Sequence, residues 1–237
     1  MKEKQHNPGD HATAKLAGLG YAGIIALGIF AEFIVRSSLV AQGDADTTFQ
    51  QIRANELLFR MGIGSYLLMA VLDASVAIAL YLLFKPFVST ALSLLTALFR
   101  LAHALLLAVA ISHLLNVIHH LTMADKAPST ADLPGHIMAS LQAFNDTWLI
   151  ALLFFGLHCA LLGTLIIQSR YLPQWIGWLL TLAAAGYLVD GFARVLLSQY
   201  NDYERLFLLV VAIPAFTAEI ALCLGLLLQP VANKKTP

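Results

Sequence analysis

Apolar runs, each long enough to cross a bilayer and most broken by only a few charges, alternate along this chain with short polar stretches. Measured against the roughly 20 residues that a hydrocarbon core demands, the pattern predicts six spanning helices. They fall at 16–40, 57–83, 88–112, 145–168, 174–197 and 206–229, the third running on to about 121. The first is too long for a signal peptide and lacks a small-residue cleavage site, so a retained helix is expected. The stretches "KEKQHNPGDH" and "PVANKKTP" read as polar ends, which gives tails at 1–15 and 230–237 around a single six-helix membrane domain at 16–229. One long connection, Thr122 to Ala139, carries two prolines and a glycine and is expected to be a loop.

Composition agrees with a membrane class. Of 237 residues 59% are hydrophobic and 12% charged, with a mean hydropathy of +0.76, whereas soluble domains carry about 25% charged residues. Net charge is zero, which argues against a nucleic-acid partner and against simple polybasic recruitment to anionic lipid. The two cysteines, Cys159 and Cys223, lie inside apolar runs and form no CxxC pair.

Flanking charge sets the expected orientation. With the N-terminus inside, the inner side holds Lys2, Lys4, Lys15, Lys85, Arg170, Lys234 and Lys235, against Arg53, Lys126 and Arg205 outside. Lysine and arginine concentrate on the cytoplasmic side, so both termini are expected there. Trp175 and Trp178 at the inner interface and Trp148 at the outer one fit an aromatic belt.

Counting 1.5 Å per residue along each helix puts Asp73, Arg100, His158 and Glu219 about 16–18 Å from the inner flanks, with His103 about one turn above Arg100. Four helices thus carry ionisable groups at one depth near the midplane. A second set lies further out: Glu32 with Arg36, Glu56 with Arg60, and Asp190 with Arg194. Each is an acid followed four residues later by arginine, the order that aligns both side chains on one helical stripe. The five carboxylates, four arginines and two histidines of both sets sum to one negative charge with neutral histidines. A charge at the bilayer centre costs about 2.5–3.5 kcal/mol on insertion scales, so these groups are expected to converge inside the bundle.

What such groups do is open at this level. They can fix helix register alone, and each acid–arginine pair can satisfy itself on its own helix. Alternatively Asp73, Glu219 and His158 relay protons, while Arg36, Arg60 and Arg194 form an outer pocket for an anionic headgroup. His113, Asn116 and His120 read as an interfacial polar face, and Asn145 with Asp146 as the outer start of the fourth helix. His103 and His158 are weak metal or haem-ligand candidates, for no HExxH or CxxCH spacing accompanies them and Arg100 stands beside them. No metal or other cofactor is expected, and no phosphate loop, dinucleotide fingerprint or GxSxG elbow occurs. Pro214 is expected to kink the sixth helix. "AEFIVRSSL" resembles "VDGFARVLL", and "LYLLFKP" resembles "LGLLLQP", as in a parallel duplication of a two-helix unit.

The stretches "GIFAEFIVRSSLV", "NELLFRMGI", "FFGLHCALLG", "RYLPQWIGWLL" and "GYLVDGFARVLL" resemble a bacterial multi-pass membrane family catalogued as domain of unknown function 4386, from about Ala17 to Leu228. The resemblance implies a six-helix membrane protein and brings no activity, substrate or catalytic residues. The histidine-containing connection "ISHLLNVIHHLTMADKAPSTADLPGH" is unusual beside it. The reading is therefore an all-α, six-transmembrane-helix bundle in the cytoplasmic membrane, in contact with lipid, both termini cytoplasmic. Its expected function is binding or proton-coupled passage of a small polar or anionic ligand. Alternatives are an intramembrane enzyme on a lipid or quinone-like substrate, with His158 and a carboxylate as acid and base, and a non-catalytic accessory or sensor subunit.

Overall fold

The computed structural model describes residues 8–126 and 132–228, and all regular structure among them is helical. In chain order these are α1 (Pro8–Ile29), a π-helical turn (Phe30–Arg36), α2 (Ser37–Leu39), α3 (Ala45–Ala54), α4 (Glu56–Phe84), α5 (Thr90–Lys126), α6 (Leu133–Ser169), α7 (Gln174–Leu196) and α8 (Tyr200–Leu227). Six helices are long and apolar enough to cross a membrane: His11–Leu39, α4, Thr90–Met123, α6, α7 and Arg205–Leu227. This is a multi-pass membrane protein with the spans that hydropathy predicts. Lys2, Lys4, Lys234 and Lys235, which argue for cytoplasmic termini, lie outside the described residues.

The expected loop from Thr122 to Ala139 is mostly helix. α5 runs on to Lys126 and α6 starts at Leu133, twelve residues before the predicted 145. The start is built at Asp132, in the left-handed region at φ 60°. Its carboxylate accepts from the Gly135 N–H at 3.2 Å and its carbonyl from the His136 N–H at 3.2 Å. Pro134 falls in the first turn, where its missing N–H has no intrahelical partner to lose. Any side chain at 135 would strike the Asp132 carboxylate, so glycine completes the cap. Asn145 and Asp146 consequently lie well inside α6 and cap nothing. Pro214 likewise sits within α8, which continues through it.

Hydropathy gives no warning of the π-helical turn or of α3. At the turn, hydrogen bonding skips one residue further along the chain, a local widening frequent at functional sites. Two serines follow it and cover carbonyls with their hydroxyls: Ser37 Oγ donates to Phe33 at 2.5 Å, and Ser38 Oγ to Ile34 at 2.7 Å. α3 is a short amphipathic helix burying Thr48, Phe49 and Ile52. Its N-cap, Asp44, accepts from the Thr47 N–H at 2.9 Å and from the Thr47 hydroxyl at 2.6 Å. The Thr47 hydroxyl, then its N–H, hold the Asp44 carboxyl below the ordinary carboxylate range. A depressed folded-state value means that the cap is complete above the unfolded value and is lost as pH falls through the folded one. Protection of the Thr47 and Thr48 amides, relative to their intrinsic exchange at the same pH, is therefore expected to fall on acidification below that range, and already at neutral pH in Asp44→Ala. Equal exchange in that variant would mean that α3 is held by its apolar face alone.

The described residues fall into two compact units, one drawn from 8–22, Asp73–Leu101 and 152–228, the other from Gly23–Leu72 and 102–151 without the undescribed 127–131. In the first unit, small residues let backbones approach. A Cβ on Gly163 of α6 would lie 2.6 Å from the Gly177 carbonyl of α7, and one on Gly177 would lie 2.7 Å from the Gly163 carbonyl. Without a hydrophobic force between helices in lipid, such close packing is a main source of association. In the second unit, Tyr66 lies 5.2 Å from Phe144 and 5.9 Å from Trp148 between ring centroids, joining α4 to α6.

Candidate functional site

Arg100, in the middle of α5, is the largest fully buried side chain among the described residues, at 0% exposure. A guanidinium there is tolerable only if its charge and its donors are met. Its Nη2 lies 2.6 Å from Asp73 Oδ1 on α4. Its Nη1 donates to the Tyr21 hydroxyl on α1 at 2.6 Å and lies 3.1 Å from His158 Nε2 on α6. The cation also stands over the rings of Tyr21 at 4.5 Å and Phe155 at 5.5 Å, an arrangement that adds attraction once water is excluded.

The bonds of His158 define its chemical form. Nδ1 lies 2.9 Å from the Thr96 carbonyl, which can only accept, so Nδ1 carries the hydrogen. Nε2 faces arginine, which can only donate, so Nε2 offers its lone pair. The imidazole is therefore neutral in this arrangement, with both nitrogens engaged. Asp73 is 2% exposed and His158 0%.

Glu219 on α8 completes the set. It is half-buried, hydrogen-bonded to the Tyr187 hydroxyl of α7, and lies within electrostatic reach of Arg100, as Asp73 does. Tyr187 meets Phe155 edge-on at 5.5 Å, so the aromatic layer over Arg100 continues towards the glutamate. All six membrane helices thus contribute to one cluster in the first unit. His103 belongs to the second unit, buried, with Nδ1 3.0 Å from the Ala151 carbonyl and its ring edge-on to Trp148 at 5.9 Å.

The acid–arginine pairs take three different forms. Glu56 and Arg60 meet at 2.6 Å on an exposed surface of α4, where such pairs contribute little. Glu32 and Arg36, set on the π-helical turn, are 3.3 Å apart, and Glu32 also accepts a short bond from the Tyr66 hydroxyl. Arg36 Nη2 donates to Asn145 Oδ1 at 2.5 Å and its charge lies 4.8 Å over Phe144. Asp190 and Arg194 are linked through Tyr200, which donates to Asp190 at 2.6 Å and accepts from Arg194 at 3.0 Å. This ties the end of α7 to the start of α8. Burial first, then the bond to Asp190, raise the Tyr200 phenol above its ordinary range. Of the expected polar face on α5, His120 stacks on His136 of α6 at 5.5 Å. Among the described residues, no group of three or more His, Cys, Asp or Glu is placed to hold a metal ion.

Comparison with known proteins reaches the level of family. Over 132 residues the chain is 35% identical to an "Uncharacterized protein" of Archaeoglobus fulgidus, a match covering 56% of this chain and 65% of that relative. No solved structure matches the chain. Residues 16–229, which include Arg36, Arg100 and all but the first residues of the first span, match one family model, and the chain belongs to that family, described as Domain of unknown function (DUF4386).

Proposed function

We propose that this protein binds and passes a small polar or anionic ligand across the cytoplasmic membrane, both termini inside, and exchanges a proton at the Arg100 cluster while doing so. The observation that carries the reading is a charge count. The Arg100 cluster sets two carboxyl groups, Asp73 and Glu219, against one guanidinium, with His158 held neutral by its hydrogen bonds. One bound proton makes the cluster neutral, and its release leaves a net charge that costs about 2.5–3.5 kcal/mol at the bilayer centre. Proton exchange is thereby coupled to whatever admits water or ligand to the site.

Packing alone would be served by Asp73 and Arg100, and the second carboxyl separates this reading from that of an accessory subunit. An enzyme using His158 as acid or base would first have to open one of the two bonds that engage its ring. The test is infrared difference spectroscopy between acidic and alkaline pH on the full chain in lipid nanodiscs. A protonated-carboxyl band is expected in the wild type, absent in Glu219→Gln and present in Glu56→Gln. With no such band in the wild type, the cluster does not exchange protons and the proposal fails.

A further inference from the structure

Arg36 uses its donors unevenly. Nη1 faces the two oxygens of Glu32 at 3.3 and 3.4 Å, beyond the roughly 2.7–2.9 Å of a good charge-assisted bond. The shorter contact of Glu32 is with the Tyr66 hydroxyl instead. Nη2 donates to Asn145 Oδ1 at 2.5 Å. Nε is buried and makes no hydrogen bond among the described residues, and an unmet interior donor is destabilising. Nε and Nη2 form one edge of the guanidinium, the two-donor fork that matches two oxygens of a carboxylate or phosphate. On that edge stands one neutral amide, which can turn its Nδ2 towards an incoming anion.

The surroundings indicate from which side such an anion comes. Arg36 and Glu32 keep 17% and 38% of their side-chain surface open. Between them in sequence, Phe33 is 75% and Ile34 52% exposed, and in a membrane-spanning helix such residues face acyl chains. Behind Arg36, Phe144 is fully buried and its ring lies under the cation, so the guanidinium rests on a fixed wall. The π-helical turn that carries both Glu32 and Arg36 is the kind of irregularity found at functional sites.

We propose that the Nε/Nη2 edge of Arg36 binds the oxyanion of a phosphate group, delivered as a lipid headgroup from the side on which Phe33 and Ile34 are exposed. Glu32 yields its long contacts with Nη1 and keeps Tyr66, and Asn145 turns its amide to donate. The site lies in the second unit and does not rest on proton exchange at Arg100.

The test uses the full chain in phosphate-free maltoside micelles. Thermal unfolding and native mass spectrometry follow added phosphatidic acid, inorganic phosphate, or a neutral diacylglycerol. Phosphatidic acid is expected to raise the melting temperature by several degrees and to remain bound in the gas phase, while diacylglycerol does neither. Equal stabilisation by inorganic phosphate would support the same edge with the free anion as its occupant. Arg36→Lys keeps the charge and loses the fork, and affinity should fall about tenfold or more. Arg60→Ala should bind as the wild type does.

Asn145→Asp guards against a misfolded lysine variant. It gives Arg36 an internal carboxylate on the same edge, so the variant should melt no lower than the wild type without lipid yet bind no phosphatidic acid. Three results overturn the proposal: no response of the wild type to either phosphate compound, an equal loss in Arg60→Ala, or undiminished binding in Asn145→Asp. A missing carboxyl band at Glu219 would leave each of these results as informative as before.

Discussion

Arg100→Ala is expected to remove most folded protein from the membrane fraction, and what survives purification should melt far below the wild type. The substitution strips Asp73 of its partner in a site that is 2% exposed, and breaking one side of a buried pair costs about 3–5 kcal/mol. It also removes the donor that Tyr21 and His158 Nε2 accept from. Against a total stability of about 5–15 kcal/mol, this is a large fraction. Removing both charges should be milder. Arg100→Leu combined with Asp73→Leu leaves neither member of that pair without its partner, and replacing a buried pair by apolar residues is often neutral. If the double variant melts as low as Arg100→Ala, Asp73 is stabilised by something other than the arginine. His158→Ala should fall between, because it leaves one arginine N–H without its acceptor, a loss of about 1–3 kcal/mol when buried.

A second large effect is expected from a single methyl group. In Gly163→Ala the new carbon meets the Gly177 carbonyl at 2.6 Å and the Thr181 hydroxyl at 2.7 Å. The carbonyl is backbone and cannot rotate aside, so α6 and α7 must move apart along their contact. Overpacking of this kind costs about 1–3 kcal/mol, and here it also loosens the close backbone packing that holds helices together in lipid. Gly64→Ala is the control, with nothing within 4 Å of the added carbon. Melting temperatures of the two variants in identical nanodiscs decide the matter. A Gly163→Ala protein as stable as Gly64→Ala would show that this helix pair has slack to absorb the methyl.

The spans were legible because a bilayer sets their length and leaves few alternatives for an apolar run of that size. The convergence of Asp73, Arg100 and His158 was legible for a related reason: charges that cannot face lipid must face one another, and depth follows from counting residues. Hydroxyl partners were not. Tyr21, Tyr66, Tyr187 and Tyr200 each bond a charged group in the clusters, yet a tyrosine in an apolar run counts as one more aromatic residue. Its polar atom is the last on a long side chain and leaves no mark on periodicity. Tyr21, inside an otherwise small and apolar stretch of the first span, is the position where attention to phenols could have found a partner for Arg100.

Backbone groups were still less visible. The carbonyls of Thr96 and Ala151 hold the two buried histidines, and no side-chain pattern announces them. The start of α6 was misplaced because prolines and a glycine usually mark a connection, whereas Asp132, Pro134 and Gly135 together make a helix cap. Asn145 was misread for the same reason: moved twelve residues into the helix, it became the partner of Arg36. The π-helical turn keeps the same apolar composition as an α-helix, so only backbone geometry distinguishes it.

The engagement of His158 has a consequence for the order of events. Protonating Nε2 while Arg100 is in place would point an N–H at the guanidinium, two donors and two positive charges 3.1 Å apart. The ring therefore becomes a usable base only after the arginine has swung away, and the arginine cannot return until the ring has given its proton up. With Arg100 in place the imidazole is closed to a further proton, which leaves the exchange proposed above to the carboxyl groups.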